Sequence, residues 1–217
     1  MNDQVVSIIG SSYFQPIADL IEKLIQHDDG READIMAGHY QNGYATSVCL
    51  LSVVLLESYV MRCRYIHKAS EEELKTPVIK FIKSKYSDYP YEEETVEVFV
   101  VRDLIAHNHL LETAYTLTDK GMKKNGVIRF SSGDGKFKVS VDLRKEKTKV
   151  LQLNTVPTKI GLRDVEKILG TVWENLIYLE SKDRDQCYVS HLTVRYRGER
   201  IKFSEVVHSL HRNLSDI

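Results

Sequence analysis

Residues 48–56, VCLLSVVLL, form the longest apolar run of the chain, and serine is the one polar residue among the nine. Apolar residues continue on both sides, so residues 40–67 predict one long helix whose middle is apolar all round. Such a helix is buried in the core of the fold or at an oligomer interface. The small residues Gly43, Ala45 and Ser47 near its start would let another backbone approach closely.

Further helices are predicted on both sides of this run. Residues 15–27 carry apolar side chains at helical spacing and predict a short amphipathic helix. Residues 72–86 predict a third helix, with Pro77 near its start or kinking it. A fourth is predicted for residues 88–111, because Pro90 suits a first helical turn and the glutamates that follow favour the positive end of the helix dipole.

The sequence pattern changes after Thr116. Asn125-Gly126 and residues 133–135, Gly-Asp-Gly, are turn signals next to β-type runs. Three runs predict short antiparallel strands: VIRF at 127–130, KFKVSVDL at 136–143 and KVLQLN at 149–154. The remaining predictions are a helix at 162–179, a strand at 188–196 and a closing helix at 203–214. The sequence therefore predicts a mainly α fold with an added antiparallel β-hairpin region, α+β overall.

Length and composition predict a single domain over residues 1–217, since a chain of 217 residues with 42% hydrophobic residues suffices for one core. Within it we expect a helical core at 12–112, a basic β-hairpin insertion at 115–157, and a helix, a strand and a closing helix at 158–217.

The cysteines and the first residues predict the compartment. Cys49, Cys63 and Cys187 are odd in number and widely spaced, which argues against a disulfide framework. Cys49 lies in the apolar run and reads as a buried free thiol. The first residues, MNDQVV, lack the basic region of a secretory signal, and a nine-residue apolar run is short of the roughly 20 residues of a membrane span. We expect a cytoplasmic protein that does not associate with a membrane.

The formal charge of −1 is divided unevenly along the chain. Residues 119–149 hold ten Lys and Arg against four acids, a local charge of +6, which leaves −7 for the rest. A hairpin with this charge would contact phosphates. The weak RNA-binding candidates are Lys123, Lys124, Lys136, Lys138 and Arg144. The alternative is that these side chains only prevent edge-to-edge strand pairing.

The fourth helix contains an unusual group of polar residues. In VEVFVVRDLIAHNHLL, residues 96–111, the polar residues Arg102, Asp103 and His107 interrupt an otherwise apolar pattern. A buried guanidinium is costly without a partner, and Glu57, itself flanked by apolar residues, is the predicted partner of Arg102.

Helical geometry separates the polar residues of this segment. At about 100° per residue, Arg102 and His107 lie about 140° apart around the helix, so they do not share a face. His109 returns to within about 20° of Arg102. If the helix frays after Ala106, either imidazole would approach the guanidinium.

The segment from Arg102 to His107, RDLIAH, resembles the R-x4-H motif of the HEPN superfamily of helical ribonuclease domains. The motif tolerates longer spacing, so a pair of Arg102 and His109 would also satisfy it. An earlier buried helix of these proteins carries a carboxylate of the LLESY type, which residues 55–59 match. The resemblance covers roughly residues 40–112, with a weaker match over residues 162–179. It does not cover the β-rich segment.

The resemblance implies metal-independent RNA cleavage, in which the ribose 2′-OH attacks the adjacent phosphate and leaves a cyclic phosphate and a 5′-OH. His107 would act as general acid and base, and Arg102 would stabilise the developing charge. Glu57 and Asp103 would hold Arg102, and Asn108 and His109 would orient the substrate. It further implies a homodimer with RNA as substrate, no cofactor and no metal, a toxin or antiviral-defence role, and an antitoxin or regulatory protein as partner.

Three observations keep alternatives open. Many HEPN domains serve as non-catalytic dimerisation or binding modules. Asp103 also stands where active nucleases often carry Asn, and this second anion beside Arg102 would oppose phosphate binding. The same residues are also explained if Arg102 bridges Glu57 and a helix end while His107 caps the helix. The pair His107 and His109 could bind zinc or copper, but no further ligands at suitable spacing accompany it.

Overall fold

The computed structural model describes residues 9–33, 36–107, 111–119, 121–130, 139–184 and 187–215. The described helices are α1 (Phe14–His27), α2 (His39–Ile66), α3 (Glu71–Lys75), α4 (Val78–Lys85), α5 (Glu92–His107), α6 (Leu162–Lys182) and α7 (Phe203–Ser215). The described strands are β1 (Leu111–Thr118), β2 (Gly121–Phe130), β3 (Val141–Asp142), β4 (Lys147–Thr148), β5 (Thr193–Tyr196) and β6 (Glu199–Lys202). The strands form three antiparallel two-stranded sheets, in which β1 pairs with β2, β3 with β4, and β5 with β6. The predicted class, mainly α with an antiparallel β-hairpin region, is confirmed.

Helix α2 is the centre of the fold and packs against α1, α5 and α6. It follows the predicted range of 40–67 to within one residue at each end. Its apolar residues do not all face inward, because Val54, Met61 and Tyr65 are 38%, 48% and 51% exposed. The prediction of burial on every side is therefore wrong for the single chain, and the oligomer-interface alternative stays open.

The length and composition of α2 also meet the requirements of a membrane-crossing helix. Its most apolar 18 residues have a mean hydropathy of 1.6, and half of that stretch is buried inside the protein. The core helix of a soluble protein meets the same requirements, so length and composition do not tell a core helix from a membrane-crossing helix.

The single helix predicted for residues 72–86 is two helices, α3 and α4. Pro77 precedes the first residue of α4, and Thr76 before it is extended, with φ −67° and ψ 138°. Proline disfavours helical dihedrals in the preceding residue, which explains why the two helices do not join.

Helix α5 ends earlier than predicted. It ends at His107, and Leu111 already begins β1, where it pairs with Phe130 of β2. The ladder between β1 and β2 thus takes the backbone groups that a helix continuing to Leu111 would have used.

The predicted strand at 127–130 is confirmed as part of β2, but the predicted turn at Asn125-Gly126 is wrong. The register passes from Ala114 opposite Gly126 to Tyr115 opposite Lys124, so Asn125 is an extra residue within the strand. Such a β-bulge suits the conformational freedom of an adjacent glycine.

The other β predictions are confirmed only in part. Of residues 136–143, the pair at 141–142 forms β3, residues 139–140 are helical, and 136–138 lie outside the described residues, as does the predicted turn at 133–135. Residues 149–154 form bends with a single bridge from Asn154 to Lys147. They follow a different path because their backbone N–H groups bind a buried carboxylate on α5.

The last third of the chain completes the core. The helices predicted at 162–179 and 203–214 are confirmed as α6 and α7. The strand predicted at 188–196 is confirmed only as β5, because Glu180 accepts hydrogen bonds from the backbone of Val189 and Ser190 at 3.1 and 2.9 Å. One hydrophobic cluster joins side chains from α1, α2, α4, α5, α6 and α7.

Candidate functional site

Arg102 lies in the second half of α5 and is held by three neighbours. Its Nη2 is 3.3 Å from Oε1 of Glu57 on α2, and its Nε is 3.1 Å from Oδ1 of Asp103. The guanidinium carbon lies 5.3 Å from the centre of the Phe99 ring, at cation–π distance. The predicted contact between Arg102 and Glu57 is confirmed, and Asp103 shares the same cation.

The surroundings of Arg102 are more open than the sequence suggested. Its side chain is 31% exposed, and both carboxylates are exposed to a similar degree. The expectation of a buried guanidinium is wrong, because the chain leaves the outer faces of α2 and α5 uncovered at this point. Ion pairs this exposed contribute little to stability, so the pair orients Arg102 more than it stabilises the fold.

Arg102 lines a groove of about 320 Å³ between α2, the α3–α4 connection and α5. Val96, Phe99 and Val100 form its apolar wall. Its charged residues are Glu57, Arg64, Lys75, Arg102 and Asp103, three cations against two anions. This groove therefore combines an apolar wall with a slight positive charge, which suits a ligand with a ring and a phosphate.

Arg64 is the residue of this groove that the sequence analysis missed. It is buried, its Nη1 donates to the carbonyl of Leu74 at 3.0 Å, and its Nη2 donates to the carbonyl of Thr76. Burial lowers the pKa of Arg64, while the nearby carboxylate of Glu57 acts in the opposite direction. A signal existed, since Arg64 follows Glu57 by seven residues, two helical turns, and so lies on the same face of α2.

His107 lies apart from this groove in the single chain. It is exposed at the last position of α5, whereas Arg102 and Asp103 line the groove. This agrees with the angle of about 140° expected between Arg102 and His107 around a helix. Asn108 and His109 lie outside the described residues. Among the residues that are described, no three His, Cys, Asp or Glu side chains are grouped to hold a metal ion.

The predicted basic residues belong to other elements. Lys123 and Lys124 lie in β2 opposite Thr116 and Tyr115, and Arg144 is exposed in the turn between β3 and β4. Lys136 and Lys138 lie outside the described residues. Among the described residues of these segments, none lines the groove at Arg102.

An exposed apolar face of α2 adjoins the groove. Val54 lies three residues before Glu57, and Met61 and Tyr65 lie four and eight residues after it. Residues at these spacings share one face of a helix, so all three exposed side chains lie on the face that carries Glu57. Near the start of α2, a Cβ on Gly43 would meet nothing within 4 Å. The face is thus continuous with the Glu57–Arg102 pair and open to a second molecule.

A second, smaller cavity of about 110 Å³ lies at the start of α6. Two of its lysines pair with carboxylates: Lys147 binds Glu32 at 2.5 Å, and Lys159 binds Glu146 at 3.4 Å. Asp164 is buried, and it accepts hydrogen bonds from Asn154 and from the Gly161 amide. Burial raises the pKa of Asp164. We interpret this cavity as a structural network that caps α6.

Comparison with known protein families, with curated proteins and with solved structures finds no match to this chain.

Proposed function

We propose that the chain is a HEPN-like, metal-independent endoribonuclease with Arg102 and His107 in its site. The observation that carries this proposal is the half-exposed Arg102 guanidinium, which Glu57 and Asp103 orient at the edge of a groove with an aromatic wall. An exposed imidazole ends the same helix, with the R-x4-H spacing. An arginine fixed in this way binds a phosphate without first losing side-chain freedom.

The proposed reaction needs a proton acceptor, a proton donor and a cation. The ribose 2′-OH loses its proton to an imidazole while its oxygen attacks the adjacent phosphorus, and the 5′ oxygen leaves with a proton. Arg102 stabilises the charge on the phosphorane oxygens, and His107 handles the protons, since imidazole exchanges protons near neutral pH. These steps require no cofactor.

Because Arg102 and His107 lie on different sides of α5, the proposal includes a homodimer. A second copy placed against the apolar face of α2 would bring two α5 helices together next to the groove. The site would then combine residues of both chains, and its two His107 imidazoles would supply the proton acceptor and the donor. We further propose a cytoplasmic toxin or antiviral-defence role, restrained by an antitoxin or regulatory protein.

A second candidate is a non-catalytic HEPN dimerisation or binding module. The contacts of Arg102 with Glu57 at 3.3 Å and Asp103 at 3.1 Å favour it, because an RNA phosphate would have to displace one of these carboxylates. This module predicts a folded dimer that leaves RNA intact.

The test is cleavage of RNA by the purified chain in the presence of EDTA. We expect products with 2′,3′-cyclic phosphate and 5′-OH ends, and losses of at least about 100-fold in Arg102→Ala and in His107→Ala, the usual scale for a general acid or base. Arg31→Ala and His208→Ala are matched controls, since both residues are exposed and neither lines the groove. They should retain full activity.

Two outcomes would reject the nuclease. The first is a correctly folded dimer that does not cleave RNA, which is the result expected of the binding module. The second is cleavage that survives both Arg102→Ala and His107→Ala, which would place the activity elsewhere or in a contaminant.

A further inference from the structure

Cys63 and Cys187 form a buried pair of thiols remote in sequence. Cys63 lies on α2 and Cys187 in the segment after α6, 124 residues later, and their Sγ atoms are 3.5 Å apart. Both are free cysteines. The remaining cysteine, Cys49, lies about four helical turns before Cys63 on α2 and has no sulfur neighbour among the described residues.

A cluster of ionisable side chains lies next to this pair. His67, one turn after Cys63, has its Nε2 2.9 Å from the Tyr86 hydroxyl and 3.3 Å from Oδ2 of Asp183. Tyr86 also donates to Asp183. The carbonyl of Asp183 in turn accepts a hydrogen bond from the Cys187 amide at 2.9 Å. The Cys187 backbone is therefore hydrogen-bonded to Asp183, and the side chain of Asp183 contacts the partly exposed His67 and Tyr86.

The two thiols are not equivalent. The hydrogen bond shared with Cys63 lowers the pKa of Cys187, with Arg62 acting in the same direction, although burial and Asp183 oppose it. The same bond and burial raise the pKa of Cys63. Since the thiolate is the nucleophile in thiol oxidation, this difference favours Cys187 as the sulfur that reacts first.

We propose that Cys63 and Cys187 are a redox-modification site that closes to an intramolecular disulfide, with hydrogen peroxide as the oxidant. The Cys187 thiolate attacks one peroxide oxygen, the O–O bond breaks, and a sulfenic acid and hydroxide form. The Cys63 sulfur then attacks the Cys187 sulfur, the S–O bond breaks and water leaves with the Cys63 proton. Two thiols lose two electrons in total, and one peroxide becomes two waters.

Closure has a structural consequence. The sulfurs must approach from 3.5 Å to about 2.05 Å, the length of a disulfide bond. Both cysteines are buried, but Cys63 lies within the long helix α2 and Cys187 in an irregular segment, so the movement falls on that segment and on the hydrogen bond that joins it to Asp183. Oxidation would therefore alter the contacts of Asp183 with His67 and Tyr86. The disulfide would also link two residues that are 124 positions apart, and it would stabilise the fold because it restricts the unfolded chain.

The test uses the full chain and does not depend on RNA cleavage. After hydrogen peroxide treatment of the native protein, two of its three thiols should be lost, and peptide mapping should find one cross-link between Cys63 and Cys187. Dithiothreitol should restore both thiols. The oxidised chain should have a higher melting temperature than the reduced chain.

Variants separate this pair from general thiol oxidation. Cys63→Ser and Cys187→Ser should each abolish the cross-link, whereas Cys49→Ser should leave it unchanged. Mapping of the native chain decides the question even if a variant fails to fold. Three intact thiols, a cross-link between chains, or sulfinic acid without the Cys63–Cys187 peptide would each overturn the proposal.

Discussion

Two charged residues of α5 have different roles because they are buried to different degrees. Glu97 is 1% exposed, and its two oxygens accept hydrogen bonds from the backbone of Val150 at 2.7 Å and Leu151 at 2.8 Å. Arg102, about a turn and a half further along, remains half-exposed between two carboxylates. Glu97 thus connects α5 to the loop that follows β4, while Arg102 stays accessible for chemistry.

Glu97→Gln tests the first role. The amide keeps the shape of the side chain, but its NH₂ group replaces an acceptor opposite one of the two part-buried backbone N–H groups and leaves that donor unsatisfied. We expect a loss of about 1–3 kcal/mol in the free energy of unfolding. Urea unfolding followed by the fluorescence of Trp173, the single tryptophan, measures it.

Glu93→Gln is the matched control, since Glu93 is exposed in the first turn of the same helix. It should change stability by much less. Equal and small effects of both substitutions would show that the Glu97 carboxylate does not anchor the loop.

At the scale of elements, the short helix α3 depends on hydrogen bonds from a side chain of α2. Helix α3 has a capping box, with Ser70 and Glu73 exchanging hydrogen bonds, but the helix has only five residues and buries none of them. Arg64 holds its C-terminal end by binding the carbonyls of Leu74 and Thr76. A helix this short would not be stable without such tertiary support.

Arg64→Met tests this support. Methionine preserves much of the apolar volume but removes the donors to both carbonyls. We expect α3 to lose hydrogen-exchange protection, together with an overall destabilisation of about 1–3 kcal/mol. Hydrogen exchange across residues 71–76 measures the local effect.

Lys80→Met, at an exposed position of α4, controls for replacing a cation with methionine. It should leave α3 unchanged. Normal protection of α3 in Arg64→Met would contradict the view that Arg64 fixes this wall of the groove.

The sequence predicted the elements unevenly. The long range of α2 was predictable to within a residue because a continuous apolar run leaves a helix few alternatives. The β segment was not, because a strand pattern does not show which strand it pairs with, and Asn125-Gly126 lies in a bulge of β2 where a turn was expected. Similarly, the prediction of one helix around Pro77 was wrong because proline favours an extended conformation in the residue before it.

At the scale of the whole molecule, the apolar face of α2 leads to a prediction of assembly. Val54→Glu and Met61→Glu place a charge on this face and should convert a dimer to a monomer while the chain stays folded, because a charge in an apolar contact is costly. Sedimentation or light scattering measures the mass. Under the proposed function, both variants should also lose RNA cleavage.

Leu117→Glu is the control, since Leu117 is also an exposed apolar residue but lies on the β1–β2 hairpin. It should leave the mass unchanged. A dimer that persists in both α2 variants would exclude this face as the interface, whatever the outcome of the RNA cleavage test.

By itself, the sequence determined the class of the fold, most helices and the contact of Arg102 with Glu57. The class and the helices follow from local periodicity, and the contact follows from two opposite charges that interrupt apolar helical runs, although Arg102 is more exposed than that pattern predicts. Only the tertiary structure decided that Arg64 binds the carbonyls of Leu74 and Thr76, that Glu97 anchors a distant loop, and that Cys63 meets Cys187. Those contacts join segments up to 124 residues apart, and such encounters depend on how helices pack, which no local pattern encodes.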